Sequence, residues 1–165
     1  MELAEGRTTV ETVESFVAQL AEIGDEHGCT IQAFDARYIV SRTHLQRALE
    51  LADRARERGE AVARERAVEI LLYAAGRRQI ERALELGIDV GENTVVVLVA
   101  AADSRTERAA ATAVRELFGS ADTLDTFDEE RVREFFDIGD AELAATDAGL
   151  DALVLERVAL LDVEK

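Results

Sequence analysis

The stretch NTVVVLVAA, Asn93–Ala101, restricts the fold more than any other part of the chain. Val95, Val96, Val97, Leu98 and Val99 follow one another with no polar residue between them. A strand with one wet face alternates, whereas an unbroken apolar run is the mark of a strand inside a sheet with both faces covered. The remaining sequence must supply the cover, and it is mostly helical in pattern.

The chain has no proline, so glycine supplies the punctuation. A TTVE capping box at Thr8–Glu11 predicts a helix that carries Val10, Val13, Phe16, Val17, Leu20 and Ile23 and stops at Gly24. CTIQAFDARYIV alternates and predicts a strand around Cys29–Asp35. Ser41 then caps a helix through Arg58, striped by Leu45, Ala48, Leu49, Ala52 and Ala55 and closed by Gly59. EILLYAAGRRQIERALE, Glu69–Glu85, reads as two helices separated by Gly76, with Gly87 closing the second. Capping boxes at Ser104–Glu107 and Thr126–Glu129 open helices ending at Gly119 and near Ile138. The tail LDALVLERVALLDVEK predicts a short helix passing into a strand near Val158–Val163. Few strands separated by helices, with no linker or repeat, predict one α/β (mixed) domain over residues 1–165. It would be a small central sheet of few strands packed with about seven helices.

Composition narrows the function classes. At 165 residues and 48% hydrophobic content the chain can bury a real core. No apolar run approaches the roughly 18 residues of a membrane span, and no basic-then-apolar leader opens the sequence, so a soluble cytoplasmic protein is expected. Cys29 stands alone, which excludes an internal disulfide. Thirty-five acids against nineteen bases give −16, and eighteen of the bases are Arg, with Lys165 the only lysine. Such acid loading fits a salt-rich cytoplasm, where the Debye length falls to about 3 Å at molar salt and self-repulsion is screened. The net charge therefore reports habitat and does not argue against an anionic ligand.

The distribution of charge is more specific. Between Arg37 and Arg82 eleven arginines face seven acids, a local +4 that leaves −20 for the rest of the chain. Two readings stand side by side: a solvated helical face paired at Glu50–Arg54, Asp53–Arg56 and Arg78–Glu81, or the footprint of an anionic partner. Arg77 and Arg78 sharpen the second. They open the predicted helix after Gly76, where the helix end is already positive and acids are preferred, so something negative is expected in front of them. Free N–H groups after a glycine, with Arg77, Arg78 and, one turn on, Arg82, would form a phosphate-binding corner.

Enzyme signatures are thin. AAGRRQ lacks the second glycine and the Lys-Ser/Thr of a phosphate-binding loop. Gly87 and Gly91 precede the long strand, where a dinucleotide fingerprint follows one. His27, Cys29 and His44 are too few for a zinc site, and Cys29 reads as a small core residue. No metal or cofactor is expected.

Three blocks in order resemble a known family. EILLYAAGRRQIERALELGI is similar to the E-I-L-x-x-x-S-G-x-x-Q-I-x-x-A-I signature of the small kinase-associated subunit of the KEOPS complex, the TPRKB-like kinase-binding family. QAFDARYIVSRTHLQRALELA resembles its second block, and LERVALL its C-terminal segment, so the likeness spans nearly the whole chain and is of the halophilic archaeal type. One departure is Ala75, where the family carries Ser.

The resemblance implies a non-catalytic subunit of the assembly that installs threonylcarbamoyladenosine in tRNA. Its partners would be the atypical kinase/ATPase subunit, the tRNA through its 3′ CCA end and, indirectly, the threonylcarbamoyl-transferase subunit. The tRNA-binding candidates are Arg42, His44, Arg47, Gly76, Arg77, Arg78, Gln79 and Arg82. Gly76 would allow close backbone approach, and Gln79 would read a base edge or cap the helix. His44 would stack on a base or be buried and hydrogen-bonded. Ile70, Leu71 and Ile80 read as packing. Leu153, Leu155, Val158 and Leu160 are the kinase-contact candidates, with core packing the competing reading for at least half. The alternative function is a stand-alone small-molecule or phosphate-binding enzyme using the helix N-terminus at Gly76.

Overall fold

A computed structural model describes residues 1–164, and Lys165, the last residue of the tail segment, lies outside the described residues. In chain order the elements are β1 (Glu2–Val10), α1 (Val13–His27), β2 (Thr30–Asp35), α2 (Arg42–Glu57), α3 (Arg66–Ala75), α4 (Ile80–Ala83), β3 (Gly91–Ala100), α5 (Ser104–Arg115), β4 (Gly119–Ser120), α6 (Glu129–Phe135), α7 (Asp140–Ala144) and α8 (Leu150–Glu164). The architecture is mixed α/β, as expected, with eight α-helices among the described residues. The chain forms two units, residues 1–36 with 87–124 and residues 37–86 with 125–164.

The first unit holds a four-stranded antiparallel sheet in the order β2-β3-β1-β4. The run singled out in the sequence is β3, paired with β2 on one side and β1 on the other. Val95, Val97 and Val99 join a core with Ala4, Phe16, Leu20 and Val114, contributed by β1, α1 and α5. Val96 and Leu98, on the other face by the twofold strand period, are equally buried.

One local signal misleads here. Thr8–Glu11 does not cap a helix, because Thr8, Thr9 and Val10 belong to β1, whose nine residues pair with β3 from Glu2↔Val99 to Val10↔Gly91. Nine residues of ladder outweigh one capping box. The true cap is Thr12, whose Oγ1 accepts from Ser15 N at 3.1 Å, and α1 runs through Gly24 to His27. Aspartates likewise displace the predicted caps of α5 and α6. Asp103 Oδ1 accepts from Thr106 N at 2.8 Å, and Asp128 Oδ1 from Arg131 N at 3.2 Å. At α6 the displaced residue is Thr126, and Asp is a stronger cap than Thr.

The second unit is helical and contains the whole positive block. Helix α2 packs its striped face on α3 and α8, and Glu69–Ala75 of α3 are all buried. Asp53 of α2 takes a bidentate pair from Arg66 of α3, both bonds at 2.8 Å, and Glu50 pairs with Arg47. The buried Glu69 carboxylate accepts from Val62 N and Ala63 N at 3.0–3.2 Å and holds the loop between α2 and α3. Among the described residues the tail contains no strand. Val158–Val163 lie inside the uninterrupted α8, whose Leu153, Val154, Val158 and Leu161 are buried at helical spacing. Tyr73 OH donates to Asp162 Oδ1 at 2.9 Å and ties the last turn of α8 to α3. No helix among the described residues is long and apolar enough to cross a membrane.

Candidate nucleic-acid interface and docking helix

Gly76 ends a helix and does not begin one. It adopts φ +61°, and its N–H donates to Tyr73 O while Arg77 N donates to Leu72 O, both at 3.0 Å. These are the two bonds of a Schellman stop. A Cβ at Gly76 would sit 3.1 Å from the Arg157 carbonyl oxygen of α8, so the close approach made possible by glycine is to a neighbouring helix. Arg77 and Arg78 therefore follow the negative end of α3, where cations are favoured, and the electrostatic puzzle posed by the sequence dissolves. The next helix, α4, has four residues and starts after Gln79, which makes no side-chain capping bond. The phosphate-binding helix N-terminus on which the enzyme alternative relied does not exist.

The arginines nevertheless gather. Arg77 Nη2 donates to the Phe135 carbonyl, and its guanidinium lies 5.0 Å from the Phe135 ring centroid. The Arg82 guanidinium lies 6.0 Å from the same centroid. Phe135 is buried, with the Tyr38 ring edge-on at 5.7 Å and Phe136 at 5.0 Å. Tyr38 OH donates to Glu85 Oε2 at 3.1 Å, and burial, reinforced by Glu85 and opposed by an Arg131 hydrogen bond, raises its pKa. Around this cluster Arg78, Gln79, Ile80 and Leu84 face solvent. Ile80, expected to pack, is 45% exposed, and Leu84, one turn later, is 56% exposed. Arg42 and Arg47 lie on the exposed side of α2, near its start.

His44 is not available to stack on a base, because it is fully buried. Its Nδ1 accepts from Val40 N at 3.3 Å, which places the proton on Nε2, and Nε2–H donates to Ala74 O at 2.8 Å. Phe136 meets the ring edge-on at 5.8 Å. Burial lowers the His44 pKa to about 4, against a smaller opposing effect of the Ala74 carbonyl. His44 thus ties the start of α2 to the last turn of α3, one residue short of buried Ala75 and two short of Gly76. The second and middle motifs meet in space, through a structural residue.

Helix α8 divides the four docking candidates. Leu153 and Val158 belong to the core, Leu155 is partly buried, and Leu160 is 40% exposed. Val163, also on α8, is 80% exposed. Arg157 anchors the inner side. It bonds Glu142 of α7 at 2.6 and 2.8 Å and donates to the carbonyls of Phe136 and Asp137 at 3.0 Å. Sequence reasoning missed Tyr38, Phe135, Phe136 and Arg157. The one available signal was an adjacent Phe-Phe pair in a chain with only six phenylalanines.

In the sheet unit, Cys29 packs against the core, and burial, with the nearby Glu107 charge, raises its thiol pKa, which is the reverse of an activated nucleophile. Among the described residues no group of three or more His, Cys, Asp or Glu is placed to hold a metal ion. No curated protein matches the chain. Residues 8–162 match the family described as kinase binding protein CGI-121. The match spans nearly the whole chain, and the chain belongs to the CGI-121 kinase-binding family.

Proposed function

We propose that the protein is a non-catalytic adaptor of the KEOPS tRNA threonylcarbamoyladenosine complex. It docks on the kinase/ATPase subunit through the outer face of α8 and holds tRNA by its 3′ CCA end at the arginine corner. The transferase subunit is reached indirectly. The kinase half follows from the family description and from the exposed Leu160 and Val163 on a helix that is apolar on both sides. The RNA half rests on one observation: Arg77, Arg78 and Arg82 cluster beside exposed Ile80 and Leu84 in a chain of net charge −16. Basic groups beside apolar surface suit a single strand, since phosphates meet the arginines and unstacked bases meet the apolar side chains.

The test is binding of intact tRNA and of tRNA trimmed of its CCA trinucleotide, in molar KCl. Phosphate contacts weaken as salt rises through counterion release, while base contacts tolerate it. Removing CCA should cost most of the binding at high salt. Arg78→Glu with Arg82→Glu should weaken intact tRNA and lower the salt slope by about 0.7 per lost single-strand phosphate contact. Equal affinity of intact and trimmed tRNA would place the RNA elsewhere on the protein.

A further inference from the structure

Two cations share one ring in the helical unit. The Arg77 and Arg82 guanidinium carbons lie 5.0 and 6.0 Å from the Phe135 centroid, and Arg77 also donates to the Phe135 carbonyl. Both distances fall within the reach of cation–π attraction, which is electrostatic and directed at the ring face. Among the described residues neither arginine is in an ion pair, in a chain with thirty-five acids. Arg66, Arg131, Arg133 and Arg157 do have carboxylate partners. The ring is fixed as well: Phe135 is 3% exposed and packed in T-shaped contact with Tyr38 at 73° and Phe136 at 83°. At 3% exposure it cannot stack on a ligand, so its influence outside the core passes through the arginines it holds.

A long side chain free in solvent loses rotamer freedom when it binds, and that loss weakens each phosphate contact it makes. A guanidinium already held on a ring has lost much of that freedom beforehand.

We propose that Phe135 is a positioning residue, whose ring holds Arg77 and Arg82 prearranged as a clamp on the phosphate backbone of the RNA strand. The proposal rests on the RNA-binding reading of the arginine corner, and a double-mutant cycle on the full chain separates the two. Phe135→Leu keeps apolar volume and removes the ring face. It should weaken binding of an intact tRNA transcript about tenfold, the order expected when two arginine side chains must be ordered on binding. The same substitution should have no effect in an Arg77→Ala, Arg82→Ala background, because nothing remains to position.

Fluorinated phenylalanines at 135 keep the ring shape while draining charge from its face, which keeps the idea testable if Phe135→Leu does not fold. Affinity should then fall stepwise with fluorine number while the melting temperature moves little. If the double alanine variant binds tRNA as the parent does, the RNA reading of the corner fails. If that variant is weakened but the Phe135 change costs the same in both backgrounds, or costs nothing, Phe135 is a core residue only. An affinity that does not respond to fluorination overturns the clamp in the same way.

Discussion

At the scale of single residues, the motif positions act mainly on the protein itself. His44 and Gly76 sit at the centre of the resemblance, and both shape the turn that presents the arginines. His44 Nε2 holds the Ala74 carbonyl, and Gly76 lets the chain turn against Arg157 of α8. His44 also makes stability pH-dependent. Its folded pKa of about 4 lies below the unfolded value of 6.5, so the unfolded chain binds the extra proton in between. The stabilisation is fully present above pH 6.5 and is lost as pH falls towards 4, by about 3 kcal/mol in all. Imidazole shifts followed by NMR should show His44 neutral at pH 5.5, and denaturant titrations of the parent should lose more stability between pH 6.5 and 4 than those of His44→Gln. A His44 ring that protonates near pH 6.5 would contradict its burial.

At the scale of elements, α8 carries two jobs on two faces. Leu153, Val154, Val158 and Leu161 face the core, while Leu160 and Val163 face solvent. A helix apolar on both sides has a face left for a partner. Leu160→Arg alters an exposed position, so its effect on stability should stay within about 0.5 kcal/mol, while co-purification with the kinase subunit should be lost. Val158→Arg would place an unpaired charge in the core and cost several kcal/mol, with loss of the fold. Circular dichroism beside the pull-down separates the outcomes. A folded Leu160→Arg protein that still returns with the kinase removes Leu160 from the interface.

At the scale of the whole molecule, −16 on 165 residues is a cost that depends on solvent. Exposed like charges repel across about 10 Å at 0.1 M salt and about 3 Å at 1 M. The melting temperature should therefore rise with KCl towards molar concentration, by about 2–4 °C for each kcal/mol of repulsion relieved. A melting temperature flat across that range would detach the acid loading from any salt adaptation. The same screening weakens phosphate contacts, so under the proposed RNA-binding role exposed Ile80 and Leu84 would carry more of the binding as salt rises.

What the sequence by itself determined is whatever depends on local pattern or on composition. The unbroken Val95–Val99 run becomes the doubly covered strand β3, Ser41 caps α2 through a bond to His44 N at 3.1 Å, and the eleven arginines fall in one unit. The ordered motifs led to the family. What only tertiary structure decided is whatever depends on a distant partner. Glu2–Val10 carries a helix-cap signal at its end and is a strand because β3 pairs with it over nine residues. Val158–Val163 looks extended and is helical because Val158 and Leu161 are buried on a helix that packs on α2 and α3. Gly76 punctuates equally well as a helix start or stop in sequence, and the bonds to Leu72 and Tyr73 decide for the stop. The pairing of Arg77 and Arg82 on Phe135 joins residues more than fifty positions apart, a separation no periodicity spans. Helical and strand periods reach only a few residues along a chain, so they report which face is apolar and leave open what that face will meet.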